Sequence, residues 1–200
     1  MISVVVPHLS SSKYIDYFKK KLEENTETRA YELVEIVDET DVYYAYNKGV
    51  YQSKYESVVL MNDDMVVSPN WDRYFLSMIK PGRVVTGHVI EPNPGTFYRR
   101  NGVGFSNTKY DCGSSVQSFN YDKFAKFAED FSKKHPPFTP GFGWYMPVGF
   151  HKSTYVSYPN IKKFPYPNDC HLLDEILPMM NYDFVQVNST FYHFQSKSWK

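Results

Sequence analysis

Asn62, Asp63 and Asp64 interrupt the apolar run SVVLM (57–61) where a buried strand would end. A carboxamide and two carboxylates at such a place are hard oxygen ligands, suited to Mg2+ or Mn2+ and, through the ion, to phosphate oxygens. The same residue types also close turns after strands by bonding nearby backbone. Taken alone, the triplet leaves both readings open. Polar residues recur at two similar places: Pro7 and His8 follow ISVVV, and Asp38 follows VEIV. Ligands of open parallel sheets bind beyond the carboxyl ends of the strands, so these three ends define one candidate face.

The elements that must carry this face can be read from periodicity. ISVVVPH (2–8) is a β-branched run of the kind covered on both faces. Ile15, Phe18 and Leu22 recur at helical spacing through YIDYFKKKLEEN, and YELVEIVDET (31–40) returns to strand character. Residues 41–53 predict a short helix capped by Asp41, and 57–61 a third strand. Trp71, Tyr74, Phe75, Met78 and Ile79 then mark one helix face. Such alternation predicts a parallel sheet flanked by helices.

The second half is less regular. Residues 82–92 hold one strand and 92–121 a loop or hairpin region. A helix with Phe124, Phe127, Ala128 and Phe131 on one face ends at Pro136. TPGFGWYMPVGFHK surrounds a short apolar strand, CHLLDEILPMM is a short helix interrupted by Pro178, and DFVQVN and TFYHF are two strand-like pieces. No repeat or linker is visible, so 1–200 reads as a single domain.

Composition narrows the function classes. The 22 basic and 22 acidic residues cancel without a run of like charge, which gives no footprint for nucleic acid. Cys112 and Cys170 form no CxxC pair or disulfide framework and read as free thiols. No signal-like leader and no membrane-length apolar run is present, so the expectation is a cytoplasmic protein without a membrane span. The 18 Tyr and 15 Phe are those of an aromatic core, or of a surface that stacks on flat or sugar-like ligands.

YNKGVYQSKYESVVLMNDDMVVSPNW resembles the central block of family 2-type inverting glycosyltransferases with the GT-A fold. Asn47-Lys48-Gly49 matches its Asn-x-Gly, Asn62-x-Asp64 its DxD-like triplet, and Ser68-Pro69-Asn70-Trp71 its small-Pro-x-Trp helix start. SVVVPH resembles the first strand, ending in Pro7. The resemblance implies a mixed, mostly parallel α/β sheet flanked by helices. It also implies a hexosyltransferase-type enzyme that moves a sugar from a nucleoside-diphosphate sugar to a hydroxyl of a glycan, lipid-linked or other acceptor. Mn2+ or Mg2+ would be held by Asp64 and His193. Pro7, Asp38, Asn47, Asn62 and Asp63 would bind the donor, with Asp38 at the nucleoside base. Asp169, in NDCHLLDEI, falls at the position of the catalytic base, with Asn168 where the family carries an acid.

The chemistry asks for such a set. A divalent ion offsets charge developing on the leaving diphosphate, and a carboxylate takes the acceptor proton for about 10²–10⁴-fold in rate. Three other classes are weighed against the sequence. A sugar nucleotidyltransferase would carry a Gly-rich loop after the first strand, and PHLSSSKY has no glycine. A sugar-nucleotide or glycan-binding module without catalysis would share the fold. A phosphoesterase would need a denser Asp/His cluster.

Overall fold

The structure is a computed structural model that describes residues 1–28, 30–92, 108–141, 146–156 and 182–194. Its elements in chain order are β1 (Ile2–His8), α1 (Ile15–Asn25), β2 (Tyr31–Val37), α2 (Val42–Gln52), β3 (Ser57–Leu60), β4 (Met65–Val67) and α3 (Trp71–Met78). They continue with β5 (Arg83–Glu91), β6 (Thr108–Lys109), α4 (Tyr121–Lys134), β7 (Phe138–Pro140), β8 (Val148–His151), α5 (Lys152–Val156) and β9 (Asp183–His193).

These strands form one mixed, mostly parallel sheet in the order β2-β1-β3-β8-β5-β9-β4, with β6 beside β5 and β7 beside β9. β1 is parallel to β2 and β3, and β5 is parallel to β6 and β9. β8 lies antiparallel between β3 and β5. Two antiparallel steps restore direction, so β1, β2, β3, β5 and β9 all point their carboxyl ends at one edge. β4 starts from that edge and runs back against β9.

Every residue of β1 is buried, which explains its unbroken apolar run. On β9, the two strand-like pieces expected from the sequence are one strand of 11 residues. The β5–β9 register shifts between Thr86 and His88. That irregularity absorbs Val187, Asn188 and Ser189, which broke the alternation in the sequence.

Local chemistry sets the helix ends. Asp41 Oδ1 accepts from the Tyr44 N–H at 3.0 Å, as its predicted cap role requires. Asn120 Oδ1 caps α4 by accepting from the Lys123 N–H at 2.9 Å. Asn47-Lys48-Gly49 lies inside α2 and does not end it. A Cβ on Gly49 would sit 2.1 Å from Val5 Cγ1, so glycine lets α2 lie directly on β1.

The Ser68–Asp72 segment is structural too. The buried Trp71 donates from Nε1 to Thr26 Oγ1, and the Asp72 carboxylate accepts from the Glu27 and Thr28 N–H groups. Together they fasten α3 to the end of α1.

Most of the abundant aromatic side chains that the structure describes are core. Trp71, Phe75 and Phe191 meet edge to face. A second cluster packs Phe119, Phe124, Tyr192 and Phe194 with Tyr14 under α4. Cys112 is a free thiol in this cluster, its pKa pushed by burial up to about 11. Cys170 lies outside the described residues. Among the described residues no helix is long and apolar enough to cross a membrane.

Candidate active site

The shared edge of carboxyl ends holds Asp38, Asn62, Asp63, Asp64 and His193, and it divides into two parts. In the first part, β1, β2 and β3 meet. Pro7 is buried in β1, paired with Ile36. Asp38 follows β2 on the surface, at φ 56°, a left-handed conformation that Asp tolerates better than most residues. Its Oδ1 accepts from the Ser10 N–H at 2.7 Å, and this bond holds the carboxyl below its usual pKa. Asp63 is buried and accepts from the Ser12 hydroxyl. Burial still pushes its carboxyl above the usual range, against the lowering effect of Ser12. Asn62 is half-buried, and its Oδ1 accepts from Tyr46 Oη at 2.6 Å. Asn47, also half-buried, lies on the same helix as Tyr46. The loop after β1 is thus fastened to the ends of both β2 and β3.

The second part lies where β3 turns into β4. Asp63 and Asp64 lie in the turn that links β3 to β4, and their side chains take different partners: Asp63 bonds Ser12, while Asp64 lies against His193 of β9. Met65 pairs with His193 across β4 and β9, and the Phe194 N–H donates to the Asp64 carbonyl at 3.0 Å. His193 Nε2 therefore stands 3.3 Å from Asp64 Oδ2. Its other ring nitrogen, Nδ1, is 2.6 Å from Glu91 Oε1 at the end of β5. Burial by itself would pull the His193 pKa down. The Asp64 carboxylate and then Glu91 outweigh it and hold the pKa at about 10. Each ring nitrogen of His193 thus faces a buried carboxylate.

Asp64 and His193 fit a hard divalent ion. Cis ligands on an octahedral ion with bonds near 2.1 Å lie about 3 Å apart, close to the 3.3 Å between Asp64 Oδ2 and His193 Nε2. Few protein ligands are needed, because Mg2+ retains several waters. Among the described residues, no group of three or more His, Cys, Asp or Glu side chains is arranged to hold an ion by itself. Waters or a ligand's phosphate oxygens would have to complete the shell. Ligation by His193 also requires that its extra proton leave.

The structure therefore brings Asp64 and His193 together, and places Asp38, Asn62 and Asp63 on the same edge in bonds to the protein. Asp169 lies outside the described residues. Sequence reasoning missed Glu91, Ser10, Ser12 and Tyr46. Glu91 carried the same signal as the triplet, a carboxylate directly after an apolar run, in HVIEP. The other three carried none. An open groove of about 550 Å³ lies elsewhere, between α3 and α4, beside Arg73, Tyr74, Lys126 and Glu129. None of the candidate residues lines it.

A mixed sheet of this order, with helices on its faces, is a GT-A-like fold. The solved structures agree: that of GalNAc-T7 with UDP, GalNAc and Mn2+ superposes with a TM-score of 0.64 at 12% identity. The match covers 100% of this chain and 45% of that one, so the chain spans less than half of its neighbour's length. A nucleotidyl transferase from Methanothermobacter thermautotroptrophicus matches over 96% of this chain and 87% of its own, at 12% identity and a TM-score of only 0.48. No family model matches the sequence, and no curated protein matches it.

Proposed function

We propose that the chain is a metal-dependent, inverting glycosyltransferase of the family 2 type, using a nucleoside-diphosphate sugar. The observation that carries this reading is the Asp64–His193 pair, 3.3 Å apart at the carboxyl-end edge of a GT-A-like sheet. The neighbour with that fold was crystallised with UDP and Mn2+, which supports the same ligand chemistry here.

In this reading Asp64 and His193 hold Mn2+ or Mg2+. The ion, when bound, supplies a Lewis acid to the leaving diphosphate. Asp38, exposed at the end of β2, meets the nucleoside base, and Asn62 meets the ribose. Asp63 and Asn47 shape the donor side from within, Asp63 through Ser12 and the loop after Pro7. Asp169 takes the acceptor hydroxyl proton as that oxygen attacks the donor carbon from the face opposite the diphosphate. Residues 1–80 serve the nucleotide and 81–200 the acceptor and the base, in one domain of 200 residues. The acceptor is a hydroxyl of a glycan, a lipid-linked sugar or a smaller molecule, and the protein works in the cytoplasm.

The test is a thermal-shift panel of UDP, GDP and their sugars, with Mn2+ and with chelator. A nucleoside diphosphate at about a hundred times its Kd stabilises the native state by roughly 2.7 kcal/mol. That stabilisation should appear with Mn2+, fall away with chelator, and be lost in Asp64→Ala. Equal stabilisation in both conditions would remove the metal from the reading. Nucleotide binding without turnover of any donor would leave a binding module in place of an enzyme.

A further inference from the structure

Glu91 is buried, 4% exposed, at the carboxyl end of β5. A carboxylate in such a place costs several kcal/mol unless it is paired. Its Oε1 lies 2.6 Å from His193 Nδ1, at the short limit of a charge-assisted bond. The strand that carries it is held on both sides. Ile90 pairs with Tyr192 of β9 and with Thr108 of β6, and the Glu91 carbonyl accepts from the Tyr110 N–H at 2.9 Å. The acceptor is thus fixed on rigid backbone, 102 residues from the ring that it meets.

We propose that Glu91 is a positioning residue that commits His193 to ligate a divalent cation through Nε2. By accepting the Nδ1 proton it fixes the neutral tautomer whose Nε2 lone pair faces Asp64, and it sets the rotation of the ring. A histidine ligand needs this, since either nitrogen can hold the proton and only Nε2 faces Asp64, the other proposed ligand. The electron-rich acceptor also makes Nε2 a better donor to the ion. Glu91 itself does not touch the ion. This inference rests on the proposed Asp64–His193 metal site and adds the group that orients it.

The experiment uses the full chain, stripped of metal and titrated with Mn2+ alone, with free ion read by electron paramagnetic resonance. Glu91→Leu should weaken Mn2+ binding by about 10–100-fold. Glu91→Gln should stay within a few-fold of wild type, because its amide oxygen still accepts from Nδ1. In wild type loaded with diamagnetic Cd2+, the 15N shifts of His193 should show the proton on Nδ1 and the ion on Nε2. Ligation through Nδ1 overturns the proposal. So does unchanged Mn2+ affinity in Glu91→Leu when Asp64→Ala has lost it. If Asp64→Ala binds Mn2+ as wild type does, the metal site itself is wrong and the role of Glu91 falls with it. Should Glu91→Leu fail to fold, the wild-type imidazole shifts decide.

Discussion

The two parts of the candidate site are built in opposite ways. Around β1, β2 and β3, short polar side chains bond to neighbours on adjacent loops: Asp38 to Ser10, Asp63 to Ser12, Asn62 to Tyr46. Across β4, β5 and β9, three side chains from distant parts of the chain form one line, Asp64–His193–Glu91. Asp63 and Asp64 are neighbours in sequence and belong to different parts. One carboxylate secures a loop, and the other lies against His193. Adjacent identical residues thus acquire different chemistry from a turn that aims them at different neighbours.

The two histidines of the β5–β9 pair show a similar contrast. His193 lies between carboxylates and its pKa is raised to about 10. His88, three residues before Glu91, stacks on Phe131 at 3.9 Å and is pulled down to about 4 by burial and then by His135. Among the described residues its Nδ1 has no hydrogen-bond partner.

The largest expected effect tests the division of labour between donor and acceptor. Asp169→Asn should lower transfer by about 10²-fold or more, the loss of a general base, with donor affinity within a few-fold of wild type. Steady-state rates and nucleotide titrations on the same preparation check both. Wild-type transfer rates in that variant would place the base elsewhere, with Asp174 next to be tried.

Acid stability sharpens the histidine contrast. Native His88 resists protonation while the unfolded chain takes it up near pH 6.5, so its stabilisation is complete above that value. It is lost as the pH falls toward about 4. The loss is roughly 3 kcal/mol. His193 has the opposite sign in the metal-free protein: its contribution is complete below pH 6.5 and is lost as the pH rises through about 10. Urea melts from pH 7 to pH 4 should show the acid limb, and His88→Phe, which keeps the stack on Phe131, should flatten it. A limb unchanged in His88→Phe would assign it to other groups.

The smallest effect probes the local part. Ser12→Ala leaves the buried Asp63 carboxylate without this donor and should cost about 1–2 kcal/mol in urea denaturation. Mn2+ affinity should hardly change, because Asp64 faces the other way. A large drop in Mn2+ affinity would join the two parts into a single unit.

The sequence by itself determined most of the local structure. β-branched runs gave β1 and β3, helical spacing gave α1, α3 and α4, and Asp41 marked the start of α2. These signals were legible because each arises between residues only a few positions apart. The triplet's place at a strand end was visible for the same reason. What only the tertiary structure decided is which strand lies beside which. No periodicity in VGFH tells that β8 enters antiparallel between β3 and β5. Nor does HVIEP alone show that Glu91 will reach a ring 102 residues away. The resemblance in the sequence already pointed to His193 and Asp64, and strand pairing supplied their 3.3 Å approach and the orienting carboxylate. Pairing is chosen by long-range burial and register, which a local pattern does not encode, and the line of groups along that sheet edge exists only once those strands are side by side.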